Sequence, residues 1–273
     1  QAHQLLCSPV DFIQAQYGLS GIGYAISTAC TSGARALASA ARLLKLGLCD
    51  AVLCGGVDSL SLLTINGFAS LEVVSGRVAR PFAADRDGIN IGEAAAVFLM
   101  TRAPMPGFPE GEPIGLLGYG ASSDAWHMSS PRPDGEGAMQ AIQAALQGAG
   151  LSAGDLGWIN LHGTGTTQND AMESLAVVQT LGVDVPGTST KPHTGHTLGA
   201  AGALEAAIVW GFVSRQLNPS GALPAQGNER DPSLAPLRLT RPGDRWPSGR
   251  RLGLSTSFAF GGNNMALIMG DTA

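Results

Sequence analysis

Aromatic residues are scarce, at 5% of 273, and charged residues make up only 14%, whereas 44% are hydrophobic and 38 are glycine. Such a chain can bury a large core of small aliphatic side chains, which places it among globular proteins rather than disordered or fibrous ones. No uncharged apolar run reaches the length of a membrane-crossing helix. The opening QAHQLLCSPVDF lacks a basic segment followed by an apolar one, so neither a span nor a signal peptide is expected. Sixteen basic against 21 acidic residues leave a net charge of −5. There is no Lys/Arg stripe interleaved with aromatics, which argues against a nucleic-acid partner. The cysteines, Cys7, Cys30, Cys49 and Cys54, form no C-x-x-C pair. Neither a zinc knuckle nor a disulfide framework is indicated, and a reducing cytoplasm is the expected compartment.

What is present is an alternation of short apolar runs with Ala-rich stretches, the pattern of a layered α/β protein. It predicts strands near 22–28, 51–57, 94–101, 114–121, 157–161, 186–190, 251–257 and 264–269, and helices near 31–46, 136–149, 168–181 and 198–215. The segment 217–249, rich in Pro, Gly, Asn and Arg, reads as a loop-rich excursion.

An internal repeat decides the architecture. STACTSGARALASAA from Ser27 and STKPHTGHTLGAAGALEAA from Ser189 each run from a strand through a small-residue turn into an Ala-rich helix. Both helices are poor in charge, and Glu205 is the one charge of the second before Arg215. Helices of this kind are buried on most faces and approach each other closely, so the two are expected side by side between two sheets. Two strand-helix units precede the second copy, but only irregular residues precede strand 22–28. The first half of the duplication is therefore incomplete, or else shortened by nature.

Cys30 lies where a strand turns into a helix, beside free N–H groups at the positive end of a helix dipole, a position that favours thiolate. It reads equally as a small buried cysteine. His162 and His196 each occupy a turn, where a lone histidine means little, but both converge with Cys30, Lys191 and the turn SFAFGG beyond the C-terminal ends of strands. One cysteine with two neutral imidazoles suits acyl transfer followed by oxyanion stabilisation. His193-x-x-His196 has no carboxylate or cysteine to complete a metal site, and Lys191 would repel a cation, so no metal is expected. The glycines of GLLGYG and HGTGTT fit no nucleotide-binding spacing and are read as tight turns.

TACTSG at Cys30, HGTGT at His162, K-x-x-x-GH-x-x-GAAG from Lys191 and FAFGGNN occur in an order that resembles the β-ketoacyl-acyl carrier protein synthases of the thiolase fold, of the elongating Cys-His-His type. The resemblance implies a duplicated five-layer α-β-α-β-α sandwich with its first half incomplete: residues 1–105 would be the remainder of an N-terminal half carrying the nucleophile, and 106–273 a C-terminal half carrying both histidines. It implies an acyltransferase that condenses an acyl thioester with a malonyl thioester by decarboxylation. Cys30 would carry the acyl group, and His162 and His196 would bond the enolate oxygen. The backbone N–H groups of Cys30 and Phe260 would hold the oxyanion. Lys191, paired with Glu173, would support the histidine side or form a plain structural ion pair. Thr164 and Thr166 would meet the pantetheine arm, and Phe68 and Phe260 the acyl chain. No cofactor is implied, because the phosphopantetheine arrives on a carrier protein, which is the implied partner.

A homodimer is implied too, with strand 22–28 as an edge, or a heterodimer with a synthase-like subunit. Two departures stand out: Glu72 occupies a loop where a carrier-docking arginine is common, and GGNN replaces the commoner GGTN. The first favours a specialised polyketide- or polyene-type ketosynthase, and the incomplete first half keeps open a non-catalytic partner subunit.

Overall fold

The computed structural model describes residues 5–102 and 114–272. The helices are α1 (Ser8–Tyr17), α2 (Ser32–Lys45), α3 (Leu62–Ser70), α4 (Glu136–Ala149), α5 (Thr167–Leu181), α6 (Lys191–Thr194) and α7 (Ala201–Val213). The strands are β1 (Ala51–Asp58), β2 (Ala94–Thr101), β3 (Ile114–Ser123), β4 (Trp158–Asn160), β5 (Gly187–Thr188), β6 (Leu252–Ala259) and β7 (Asn263–Asp271). The boundary expected at 105/106 lies outside the described residues.

β1 and β2 pair antiparallel, with Leu53 opposite Leu99. The second sheet has the order β3-β7-β6-β4-β5, with β4 parallel to β5 and β6 and the other pairs antiparallel. Between the sheets lie α2 and α7, and α4 and α5 cover the far face of the larger sheet. The layers thus run sheet, helices, sheet, helices. The outer face of β1–β2, bearing Leu53, Val57, Val97 and Leu99, stays exposed.

The pairing of the two charge-poor helices follows from glycine. A Cβ on Gly33 would lie 2.6 Å from the Ala203 nitrogen, and one on Gly202 2.7 Å from that of Ala34. These reciprocal contacts are those of a pseudo-twofold axis. It extends into the turns: Ala29 and Leu198, each four residues before the contacting glycine, have φ of +51° and +49°, a conformation that side chains other than glycine's seldom adopt. Around the helices pack Trp158, Phe212, Met265 and Leu267.

Several expectations are corrected. Residues 22–28 form no strand. Beyond one isolated bridge between Thr28 and Cys30 they carry no ladder, and Ile22 and Tyr24 are exposed. Their apolar alternation suits a strand, but a strand exists only against a neighbour, and among the described residues none lies beside them. Residues 8–17 and 62–70, not expected to be helical, form α1 and α3, neither of which buries a residue. The glycines of GLLGYG lie within β3 rather than in turns. A Cβ on Gly118 or Gly120 would strike the carbonyl of Ala145 or Ala141, so they let α4 settle onto the sheet. Segment 217–249 holds no helix or strand, as read.

Candidate active site

Cys30 immediately follows the strained Ala29 and precedes α2, and only 6% of its surface is exposed. Its Sγ lies 2.9 Å from Nε2 of His196. The His196 main chain is clamped to the segment after α3: its N–H donates to the Asn90 carbonyl at 2.6 Å, and its carbonyl accepts from Gly92. The His162 ring stands edge-on to that of His196, centroids 5.3 Å apart. Two chain halves thus converge on one sulfur, as the sequence reading anticipated.

His162 leaves β4 in a turn stiffened by a buried carboxylate. One Glu173 oxygen accepts the His162 N–H and the other that of Gly163, both at 2.7 Å, and Thr256 donates to the same group at 2.8 Å. Asp170, one helical turn earlier on α5, accepts from Phe82 and Gly165 and ties this turn to residues 79–83. Burial pushes Glu173 up to about 7 and Asp170 to about 6.

The expected Lys191–Glu173 pair is not formed. Glu173 is occupied by the amides, and the Lys191 ammonium instead meets Glu205 of α7, with side chains 2% and 3% exposed. Glu205, the one acid of a charge-poor helix, would otherwise be a buried, unpaired carboxylate. The ammonium also donates to the His162 carbonyl at 2.5 Å and meets Nδ1 of its ring at 3.3 Å. An ammonium has donors only, so Nδ1 must accept and the ring proton sits on Nε2. Burial first, then the Lys191 charge, hold both imidazoles well below their ordinary range, so both are neutral.

The expectation of a thiolate-favouring position for Cys30 is also corrected. Burial drives its thiol up to about 12, the nearby Lys191 charge opposing this only in part. Desolvation of an anion outweighs a half-charge at a helix end.

Sulfur and rings floor a cavity of about 80 Å³. Phe68 and Phe260 both line it and stack at 5.8 Å. Thr164 and Thr166 line it as well, their hydroxyls 2.9 Å apart. Phe260 opens the turn between β6 and β7, which the loop after β3 grips: Gly261 donates to the Met128 carbonyl, Asp124 donates to that of Gly262, and Asn264 donates to Asp124 at 2.7 Å. The sequence reading missed Glu205, Asp170, Asp124 and Thr256. Only Glu205 had left a signal, as the solitary charge in its helix.

Residues 11–104 match the family described as beta-ketoacyl synthase, N-terminal domain, and 115–221 its C-terminal domain. The 3-oxoacyl-[acyl-carrier-protein] synthase 2 of Rhizobium meliloti is 35% identical over 94% of this chain and 62% of its own length. A solved ketosynthase, ApeO of Xenorhabdus doucetiae, in complex with its chain length factor ApeC, is 46% identical with a TM-score of 0.90, covering 99% of this chain and 65% of that one. A beta-ketoacyl synthase from Burkholderia phymatum is 31% identical, TM-score 0.85, over 98% of this chain and 66% of its own. The chain therefore spans a little under two thirds of the length of the relatives it matches. With the two domain matches in order along it and the duplicated, layered fold of these synthases, the chain belongs to the β-ketoacyl synthase family.

Proposed function

We propose that this protein is a β-ketoacyl-acyl carrier protein synthase that elongates acyl chains by decarboxylative condensation. The observation that carries the reading is Cys30 Sγ at 2.9 Å from His196 Nε2, with a tautomer-fixed His162 beside it on the floor of one cavity.

Cys30 attacks the acyl thioester of a carrier protein. The new C–S bond forms as the carrier's breaks, and the thiol proton of Cys30 ends on the departing pantetheine sulfur. A malonyl thioester then loses carbon dioxide, and the freed electron pair forms an enolate whose oxygen receives hydrogen bonds from His162 and His196. The enolate carbon attacks the acyl-Cys30 carbonyl, whose oxyanion is held by the N–H groups of Cys30 and Phe260. The C–S bond breaks with its electron pair left on the Cys30 sulfur, which takes up one proton from solvent. Lys191 and Glu173 act through His162, one on its tautomer and the other on its main chain. Thr164 and Thr166 bond the pantetheine arm, and the acyl chain parts Phe68 from Phe260. No resident cofactor or metal enters this scheme.

A second reading, a specialised ketosynthase working beside a synthase-like partner subunit, is favoured by the 46% identity to a ketosynthase solved with its chain length factor. The presence of Cys30 supports the catalytic rather than the non-catalytic role in such a pair. In either assembly, homodimer or heterodimer, residues 22–28, exposed and unpaired, supply the edge that a second chain completes. Among the described residues no helix is long and apolar enough to cross a membrane.

The test is mass spectrometry of the protein after incubation with an acyl thioester. Selective acylation of Cys30, lost in Cys30→Ser, is expected. Equal labelling of all cysteines would refute the assignment.

A further inference from the structure

Arg35 lies in the first turn of α2, five residues beyond the nucleophile and two beyond Gly33, so its side chain leaves the helix on the side away from the Gly33–α7 contact. Its guanidinium is half-buried, has no carboxylate partner among the described residues, and leaves Nε buried without an acceptor. Nη2 donates to Oδ1 of Asn263 at 3.3 Å. The other end of that amide, Nδ2, donates to the carbonyl of Phe260 at 3.5 Å and lies against Gly261, 3.3 Å from where a Cβ would stand. Asn263 itself pairs with Ala259 across the β6–β7 ladder, so Phe260 is flanked by a paired residue on one side and by this amide on the other.

We propose that Arg35 and Asn263 are positioning residues that hold the Phe260 main chain through its carbonyl, and so fix where its N–H lies relative to Cys30. The inference rests on the condensing-enzyme reading and deepens it.

The physical reason is that the two oxyanion donors of the proposed reaction belong to different parts of the fold. The Cys30 N–H is fixed by the start of α2, whereas that of Phe260 sits in a turn with two consecutive glycines of positive φ, Gly261 at +78° and Gly262 at +73°. Such a turn has many accessible conformations. The loop after β3 holds its far side through Gly261 and Gly262. Arg35 and Asn263 hold the side facing the nucleophile helix, which is the side that matters for the distance between the donors. The long second bond is of the kind that tightens when an oxyanion occupies the site. Asparagine, with an acceptor and a donor at opposite ends of one rigid amide, transmits a position from Arg35 to Phe260. An aspartate of the same shape would hold Arg35 more strongly but would have no proton for the Phe260 carbonyl.

The experiment compares the parent with Asn263→Ala, Asn263→Asp, Arg35→Gln and the Arg35→Gln/Asn263→Ala double variant. In the same preparations two rates are followed: single-turnover acylation of Cys30 by a hexanoyl thioester, read by intact mass, and decarboxylation of a malonyl thioester, which the histidines carry. Acylation should slow about tenfold to a hundredfold in all three single variants, the range a displaced reacting group gives. The double variant should be no slower than Asn263→Ala, and decarboxylation should stay within about twofold throughout. Parental acylation in Asn263→Asp, or equal loss of both reactions in Asn263→Ala and Asn263→Asp, would overturn the proposal while leaving the function intact. A parent that does not acylate Cys30 would overturn the functional reading, and this proposal with it.

Discussion

Replacing Lys191 with methionine separates two roles that the structure gives one ammonium. The first is electrostatic: among the described residues Lys191 is the sole ion-pair partner of Glu205, whose second oxygen is buried with no hydrogen-bond partner. Breaking a buried ion pair by removing one member costs about 3–5 kcal/mol. Glu205 is already raised by burial, with Lys191 opposing that rise, so its removal lifts the carboxyl further. The folded state then holds that proton more tightly than the unfolded one, and stability is lost as pH rises through the raised value. The melting deficit of Lys191→Met should therefore be larger at pH 8 than at pH 5.

The second role is chemical: without the ammonium, Nδ1 of His162 no longer has to accept, and the ring can place its proton away from the cavity. Loss of one oxyanion donor costs about 2.7–4 kcal/mol of barrier, or two to three orders of magnitude in rate. The Lys191→Met/Glu205→Gln double variant tells the roles apart. It removes the stranded charge, so thermal stability should largely return, yet malonyl decarboxylation should remain 10²- to 10³-fold slow. Thermal melts and carbon dioxide release on one preparation are the assay, and decarboxylation at the parental rate in the double variant would refute the tautomer argument.

Alkylation of Cys30 by iodoacetamide, followed by peptide mass mapping, should accelerate about tenfold per pH unit from pH 7 to 10 with no plateau near 8.5, where an ordinary thiol levels off, because burial holds Cys30 near 12; a plateau below pH 8 would mean a preformed thiolate. Glu173→Gln keeps an acceptor for one of the two N–H groups but places an amide donor against the other, and should cost about 1–3 kcal/mol. Glu173 is raised to about 7, so its contribution to parental stability is full below about pH 4.3 and lost as pH rises through 7. The variant should accordingly lose less melting temperature than the parent between pH 5 and 8, and an identical loss would show that Glu173 does not titrate there. Gly33→Ala forces a Cβ to 2.6 Å from the Ala203 nitrogen, so α2 and α7 must part, costing about 1–3 kcal/mol and slowing Cys30 acylation; an unchanged melt would contradict the packing.

Cys30, His162 and His196 were legible because each stands in a short motif at a turn between elements, although only His162 closely follows a strand, and position along the chain is what a motif records. The helix pair was legible for a related reason: small residues repeated in register leave few ways to pack. What escaped was set across the fold. Lys191 had two acids within reach of inference, Glu173 eleven residues after His162 and Glu205 in the helix beyond, and only the depth of α7 shows that Glu205 is the one in need of a cation. GLLGYG looks the same whether its glycines turn the chain or admit a helix, and α4 decides for the second. Residues 22–28 alternate like a strand, yet a ladder belongs to two segments and the pattern describes one. The same distinction governs the nucleophile. Its dipole is a local property that the sequence displays, whereas its desolvation comes from His196, α2 and the facing layers together, and it is the larger effect.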